Sequence, residues 1–177
     1  PRLGGLLDPN IEQLIALKPD LVIVYDTHAE LRRQLERARI PMWSYTTTTL
    51  SDVTSTMRAL GERIGMPAEG AATAGRIETQ LAAIRTRVAG RPRPRTLLVF
   101  GREAGSLRGI NASGGYGFLH DLLELAGGTD VLGDVTRPAV QMSSEMVLAR
   151  APEVIVELHY GDAWAPARTD AERRVWF

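Results

Sequence analysis

The residues of this chain that could do chemistry are three histidines, two arginines beside glycine-rich turns, a scatter of aromatic residues and two glutamates in matching contexts. His28, His120 and His159 stand far apart and lack the close pairing of a metal-binding motif. There is no cysteine, which excludes disulfides, thiolate metal sites and cysteine nucleophiles together. The serines lack the strained Gly-x-Ser-x-Gly elbow of a hydrolase, and no pair of acids is marked as catalytic by its spacing. Gly114-Gly115-Tyr116-Gly117 precedes a helix and could cradle an anion. No P-loop or dinucleotide fingerprint surrounds it, so it reads as a turn. Arg102 and Arg108 could hold an anionic group, and a solvated role is the plainer reading. These residue types favour holding a ligand over transforming one.

The elements that must position them follow from periodicity and breakers. Ile11, Leu14 and Ile15 give a short helix opened at Asp8-Pro9 and ended by Pro19. Leu21 to Tyr25 is an aliphatic run, as expected of a parallel strand covered on both faces. Thr27 to Glu30 fits a capping box for a second helix, and Met42 to Tyr45 reads as a second strand. Ser51 is expected to cap a helix carrying Val53, Met57, Leu60 and Ile64, and after Gly65 and Pro67 a longer helix carries Ile77, Leu81, Ile84 and Val88. Gly90 to Pro94 is the clearest break in composition. Thr96 to Phe100 is a buried strand, Gly101 to Gly117 a long loop, Phe118 to Ala126 a helix, and Ser143 or Ser144 caps a helix before the strand Val154 to Val156. Alternation of this kind predicts an α/β fold with a parallel sheet in each of two small lobes, joined by a long helix. The expected organisation is 1–50 for the first lobe, 51–93 for the helical link and 94–177 for the second lobe.

Composition limits the partners. The chain has 177 residues, 44% hydrophobic, with 21 basic and 21 acidic side chains and no net charge. A neutral chain with few aromatics has no field to steer it onto nucleic acid. No apolar run approaches a membrane span. The start lacks both methionine and an export signal, and the end lacks a helix stop, so the chain is read as a segment of a longer protein truncated at both ends.

One stretch has an internal echo. Glu12-Gln13-Leu14-Ile15-Ala16-Leu17-Lys18-Pro19-Asp20-Leu21-Val22-Ile23 aligns with Glu145-Met146-Val147-Leu148-Ala149-Arg150-Ala151-Pro152-Glu153-Val154-Ile155-Val156. A helix that ends at proline and feeds a buried strand has few good solutions, which explains much of the match. It does not explain the glutamates. At 100° per residue both lie off the apolar stripe, so each is expected in solvent near a helix start, where the dipole favours an acid.

With Gly4-Gly5, Asn10-Ile11-Glu12, Ala16 to Val22, Asp121 to Gly128 and Gln141 to Pro152 in order along nearly the whole chain, the sequence resembles the two-lobed periplasmic binding proteins for vitamin B12, ferric siderophores and haem. The resemblance implies a substrate-binding component of an ABC importer, without enzymatic activity or cofactor, working in the periplasm or otherwise outside the cytoplasm. Any export signal or lipid anchor would lie upstream. It further implies partners of two kinds, a small-molecule metal chelate and the ABC permease membrane subunits, with Glu12 and Glu145 as the permease-docking acids. Any iron or cobalt would arrive inside the ligand. Haem-binding relatives often carry a tyrosine where this chain has Leu3 to Leu6, and relatives specialised for vitamin B12 commonly carry a tryptophan where it has Pro138-Ala139-Val140. Haem is disfavoured, and a ferric siderophore stands slightly ahead of a corrinoid.

Ligands of open α/β sheets bind beyond the carboxyl ends of strands. That rule selects Tyr25 and Thr27, Phe100, Gly101 and Arg102, and His159 and Tyr160. Tyr116, on the loop expected to border the same cleft, joins them. The rival readings are an α/β enzyme acting on a sugar or nucleotide-like molecule, and a sensor or scaffold on the same fold.

Overall fold

The computed structural model describes residues 3–5, 9–159 and 166–177. The chain divides into two compact units, at residue 47.

In the first unit, α1 (Ile11–Ala16) leads to β1 (Val22–Tyr25), and α2 (Ala29–Arg37) leads to β2 (Met42–Tyr45). The two strands pair in parallel, with Val22 against Met42 and Tyr25 against Tyr45. Leu14, Val24 and Leu35 form the buried centre, and Val22, Leu31, Ile40 and Met42 pack round it. The expectation that β1 is covered on both faces fails within this unit. Val24 is buried, whereas Ile23 on the opposite face is 47% exposed. The helix starts differ too. Asn10 caps α1 by accepting the Gln13 N–H at 2.9 Å, and Asp8, expected at the helix start, lies outside the described residues. The position before α2 is His28, whose side chain makes no cap, and Glu30, the expected far end of the capping box, is engaged by Arg33 and Gln34.

The second unit begins with α3 (Leu50–Arg63) and α4 (Pro67–Val88), so the segment expected to be helical holds a pair of helices within this unit. Thr49, two residues before the expected Ser51, caps α3 in a capping box with Asp52. Threonine and aspartate each hold the other's exposed backbone N–H, which is why the chain turns helical there. The helices meet at Gly61 and Gly70. A Cβ on Gly61 would lie 2.9 Å from the Gly70 Cα and 2.7 Å from the Met66 carbonyl oxygen, so only glycine allows this approach. Arg58 and Glu78 bridge the pair with two hydrogen bonds of 2.7 and 2.8 Å.

Beyond them come β3 (Arg95–Gly101), β4 (Ile110–Ser113), α5 (Phe118–Leu125), β5 (Thr129–Asp130), β6 (Ala139–Met142), α6 (Ser144–Arg150), β7 (Val154–Glu157) and α7 (Pro166–Arg174). The sheet contains the expected parallel pairs and adds antiparallel ones. β3 runs parallel to β5 and β7, while β4 is antiparallel to both β3 and β6. The segment read as a loop from Gly101 to Gly117 contains β4. The core is Leu97, Val99, Ile110, Ala112, Leu132 and Met142, with Val147 of α6 packed onto it. The Leu50 N–H donates to the Asp121 carboxylate at 2.9 Å, tying the start of α3 to α5.

Candidate functional site

Tyr25 ends β1, and its partner in register, Tyr45, ends β2. Their ring centroids lie 5.4 Å apart in an edge contact, and Trp43 stacks on Tyr45 at 5.9 Å and 15°. Alternate residues of a strand share a face, so Trp43 and Tyr45 fall on the same side as Tyr25. His28 closes the group with its ring 6.5 Å from Tyr25. The result is an aromatic platform at the carboxyl edge of a two-stranded parallel sheet, with phenol groups able to donate hydrogen bonds. Thr27 is exposed. With His28, Leu31 and Gln34 it lines a concavity of about 360 Å³ between the starts of α1 and α2. Trp43, Tyr45 and His28 are not among the expected ligand contacts, although the strand-end rule that selects Tyr25 applies equally to Tyr45.

In the second unit Phe100 and Gly101 lie inside β3 and not after it, at an irregularity where the pairing shifts between Val99–Ala112 and Gly101–Asn111. Phe100 is half-buried. Arg102 departs most from expectation. Its side chain is only 2% exposed, with Nε 2.7 Å from the Glu157 carboxylate and Nη2 2.6 Å from that of Glu172. Nη1 donates to the carbonyl oxygens of Glu103 and Ser106 at 3.1 and 3.0 Å. The Trp176 indole N–H donates to Glu157 at 3.0 Å, and its ring lies 5.6 Å from the guanidinium carbon. Glu172 also accepts the Gly105 N–H at 3.2 Å. That backbone bond, then Arg102, holds its carboxyl below the usual carboxylate range. Arg102 is therefore the hub that curls the 103–106 loop and docks α7. A buried guanidinium with two carboxylates is neutralised in place, so it is neither a solvated arginine nor a ligand contact. The partners that reveal this lie at positions 157, 172 and 176, far along the chain, and no local signal announces them.

Tyr116 is 44% exposed on the turn between β4 and α5. The glycine turn is a packing device. A Cβ on Gly114 would lie 2.2 Å from the Arg137 carbonyl oxygen, and one on Gly115 would lie 2.3 Å from that of Gly133. His159 follows β7 and borders a groove of about 640 Å³ with Glu157, Arg173 and Trp176. Its Nε2 lies 3.9 Å from Glu157. Tyr160 lies outside the described residues. His120 bonds Asp130 at 2.8 Å, joining α5 to β5. Among the described residues no three His, Asp or Glu side chains converge as metal ligands, and no helix is long and apolar enough to cross a membrane.

Both singled-out acids are exposed. Glu145 stands beside the Ser143 cap of α6, and hydrogen bonds from the Ser143 hydroxyl, its own backbone N–H and Ser144 hold its carboxyl below the ordinary value. The two echoing segments match in backbone as well. Lys18 (φ 47°) before Pro19 and Ala151 (φ 46°) before Pro152 both adopt the left-handed conformation, which is uncommon for residues other than glycine.

The family model described as periplasmic binding protein matches residues 1–159. The chain belongs to the periplasmic binding protein family. This periplasmic binding protein is 31% identical over 149 residues to the vitamin B12-binding protein of Salmonella typhimurium, an alignment covering 83% of this chain and 54% of the relative. It thus spans about half the length of the curated relatives it matches. An ABC transporter substrate-binding protein of Listeria monocytogenes superposes with a TM-score of 0.78 at 21% identity, over 95% of this chain and 63% of the other. IsdE of S. aureus, complexed with heme, superposes at 0.72 and 18% identity, over 98% and 64%. At such identities the superpositions establish the fold, a mixed α/β architecture shared by proteins of this type.

Proposed function

We propose that this protein is the substrate-binding component of an ABC importer, catching a large metal chelate outside the cytoplasm and handing it to a permease. The observation that carries this reading is the repeated acid. Glu12 and Glu145 occupy the same place in two segments alike in sequence, cap and turn, and each is exposed on its own unit. A repeated surface acid fits a partner with two basic sockets. In this reading Glu12 and Glu145 dock the permease, and 51–93 links lobes formed by 1–50 and 94–177.

Tyr25, Thr27, Phe100, Gly101, Tyr116 and His159 are the proposed ligand contacts, now with Trp43 and Tyr45 beside Tyr25. Arg102 is withdrawn from the set, because its charge is spent internally. Aromatic groups with polar tips suit a bulky, partly apolar chelate. The proposed ligand is a ferric siderophore or a cobalamin-type corrinoid, and the Salmonella relative supports the corrinoid. Binding alone, without turnover, completes the task.

The test uses the full-length protein with its permease. Calorimetry against ferric siderophores and cobalamin should find one chelate bound, and Tyr25→Ala should weaken it about ten-fold through lost aromatic contact. Glu12→Ala with Glu145→Ala should weaken permease binding and leave chelate affinity unchanged. Normal uptake by that double variant would refute the docking assignment.

A further inference from the structure

Each docking acid has a second exposed neighbour of opposite character. In the aligned segments Glu12 corresponds to Glu145, Leu14 to Val147 and Ile15 to Leu148. Leu14 and Val147 are buried, at 5% and 8% exposure, and supply the inward side of each helix. The next residue is aliphatic in both and points out: Ile15 is 44% exposed and Leu148 is 79% exposed. Residues three apart share a helix surface, so each acid lies one turn from an exposed aliphatic side chain. A single exposed leucine needs no explanation. Its recurrence in the same place beside the same acid, on two separate units, is harder to assign to chance. Among the described residues neither Glu12 nor Glu145 forms an ion pair, and the nearest base on α6, Arg150, is taken by Asp134 at 2.6 Å. Glu145 is held only by the cap hydroxyls and its own backbone N–H, so in each couplet the acid is without a cation and the aliphatic is exposed.

Resting on the docking reading above, we infer that the permease meets each lobe with a basic side chain set beside an apolar hollow, the cation taking the glutamate and the hollow taking Ile15 or Leu148. An exposed ion pair alone contributes little and is screened by salt. An aliphatic seated next to it buries apolar surface and excludes water from around the charges, strengthening their attraction.

The experiment measures binding of the full-length protein to its permease in lipid nanodiscs. Leu148→Ser should weaken binding roughly ten-fold and Ile15→Ser several-fold, with chelate affinity and Tm as in the parent. Raising salt from about 0.05 to about 0.5 M should weaken the double serine variant more than the parent, since only the ion pairs then remain. Leu148→Cys, in a background otherwise free of cysteine, should react readily with maleimide and become protected when the permease is added. Serine variants that bind like the parent, while the Glu→Ala variants do not, would overturn the couplet and leave the docking reading standing. Glutamate and serine variants that all bind like the parent would overturn both. Slow maleimide reaction in the free full-length protein would show Leu148 covered by its own chain and would also overturn the couplet.

Discussion

The segments α1–β1 and α6–β7 share a sequence pattern and a local geometry, yet they do different work in their units. Each helix opens on a side chain that accepts the N–H three residues on, Asn10 from Gln13 and Ser143 from Met146. Each closes through a left-handed residue before proline. The strands that follow diverge. β1 places Val24, 2% exposed, at the centre of its unit. β7 pairs with β3 along four positions but buries none of its residues. Val154 and Val156 look onto an apolar groove of about 460 Å³ beside Leu119 and Leu122, and Ile155 onto the groove at Trp176. Polar contacts hold β7: the Arg95 N–H donates to the Glu153 carboxylate at 2.7 Å, and Arg102 grips Glu157. A shared pattern fixes a helix, a turn and a strand direction. Burial is decided by what the rest of the chain brings alongside.

The comparison breaks most sharply at Arg102. Arg102→Ala leaves Glu157 and Glu172 without their shared cation and should cost about 3 kcal/mol in urea unfolding, with exchange protection lost along β7 and α7 and none lost in α1–β1. Packing gives the reverse contrast: Val24→Ala should cost about 2 kcal/mol, whereas Val156→Ala, already 40% exposed, should cost under about 0.5 kcal/mol. Acid should release the β7 side selectively. The Glu172 carboxyl is depressed in the folded state, so its contribution is fully present above the unfolded glutamate value of about 4.3 and is lost as pH falls through the lower folded value. Exchange monitored across that window should show α7 opening before α2. The smallest effect concerns what the segments share. Lys18→Gly and Ala151→Gly should each stabilise by up to about 1 kcal/mol, because glycine adopts the left-handed turn without a Cβ clash. A loss at either position would show that the two turns are not equivalent.

The order of the main helices and strands was legible because it rests on local signals: the apolar periods of α3 and α4, the proline stops at Pro19 and Pro152, and the aliphatic runs of β1 and β3. The short strands β4 and β6 were not. Ile110–Ser113 and Ala139–Met142 carry only four residues each, with asparagine, serine and glutamine among them, and become strands by pairing with one another and with β3. The helix caps at Asn10 and Thr49 each lie two positions from the expected residue, because several nearby side chains can serve. The exposure of Glu12 and Glu145 followed from helix geometry alone. The burial of Arg102 did not, since its partners on β7 and α7 come from 55 and 70 residues away.

The glycine turn before α5 bears on the ligand contact proposed for Tyr116. With the main chain of 133–138 pressed against Gly114 and Gly115, the peptide that carries Tyr116 has no slack on its inner side. In the proposed role of Tyr116 as a ligand contact, a phenol ring mounted on so firm a base would surrender little conformational freedom to a bound chelate. Its contribution to affinity is then set by the fit between ring and cargo, with little entropy lost to ordering the loop.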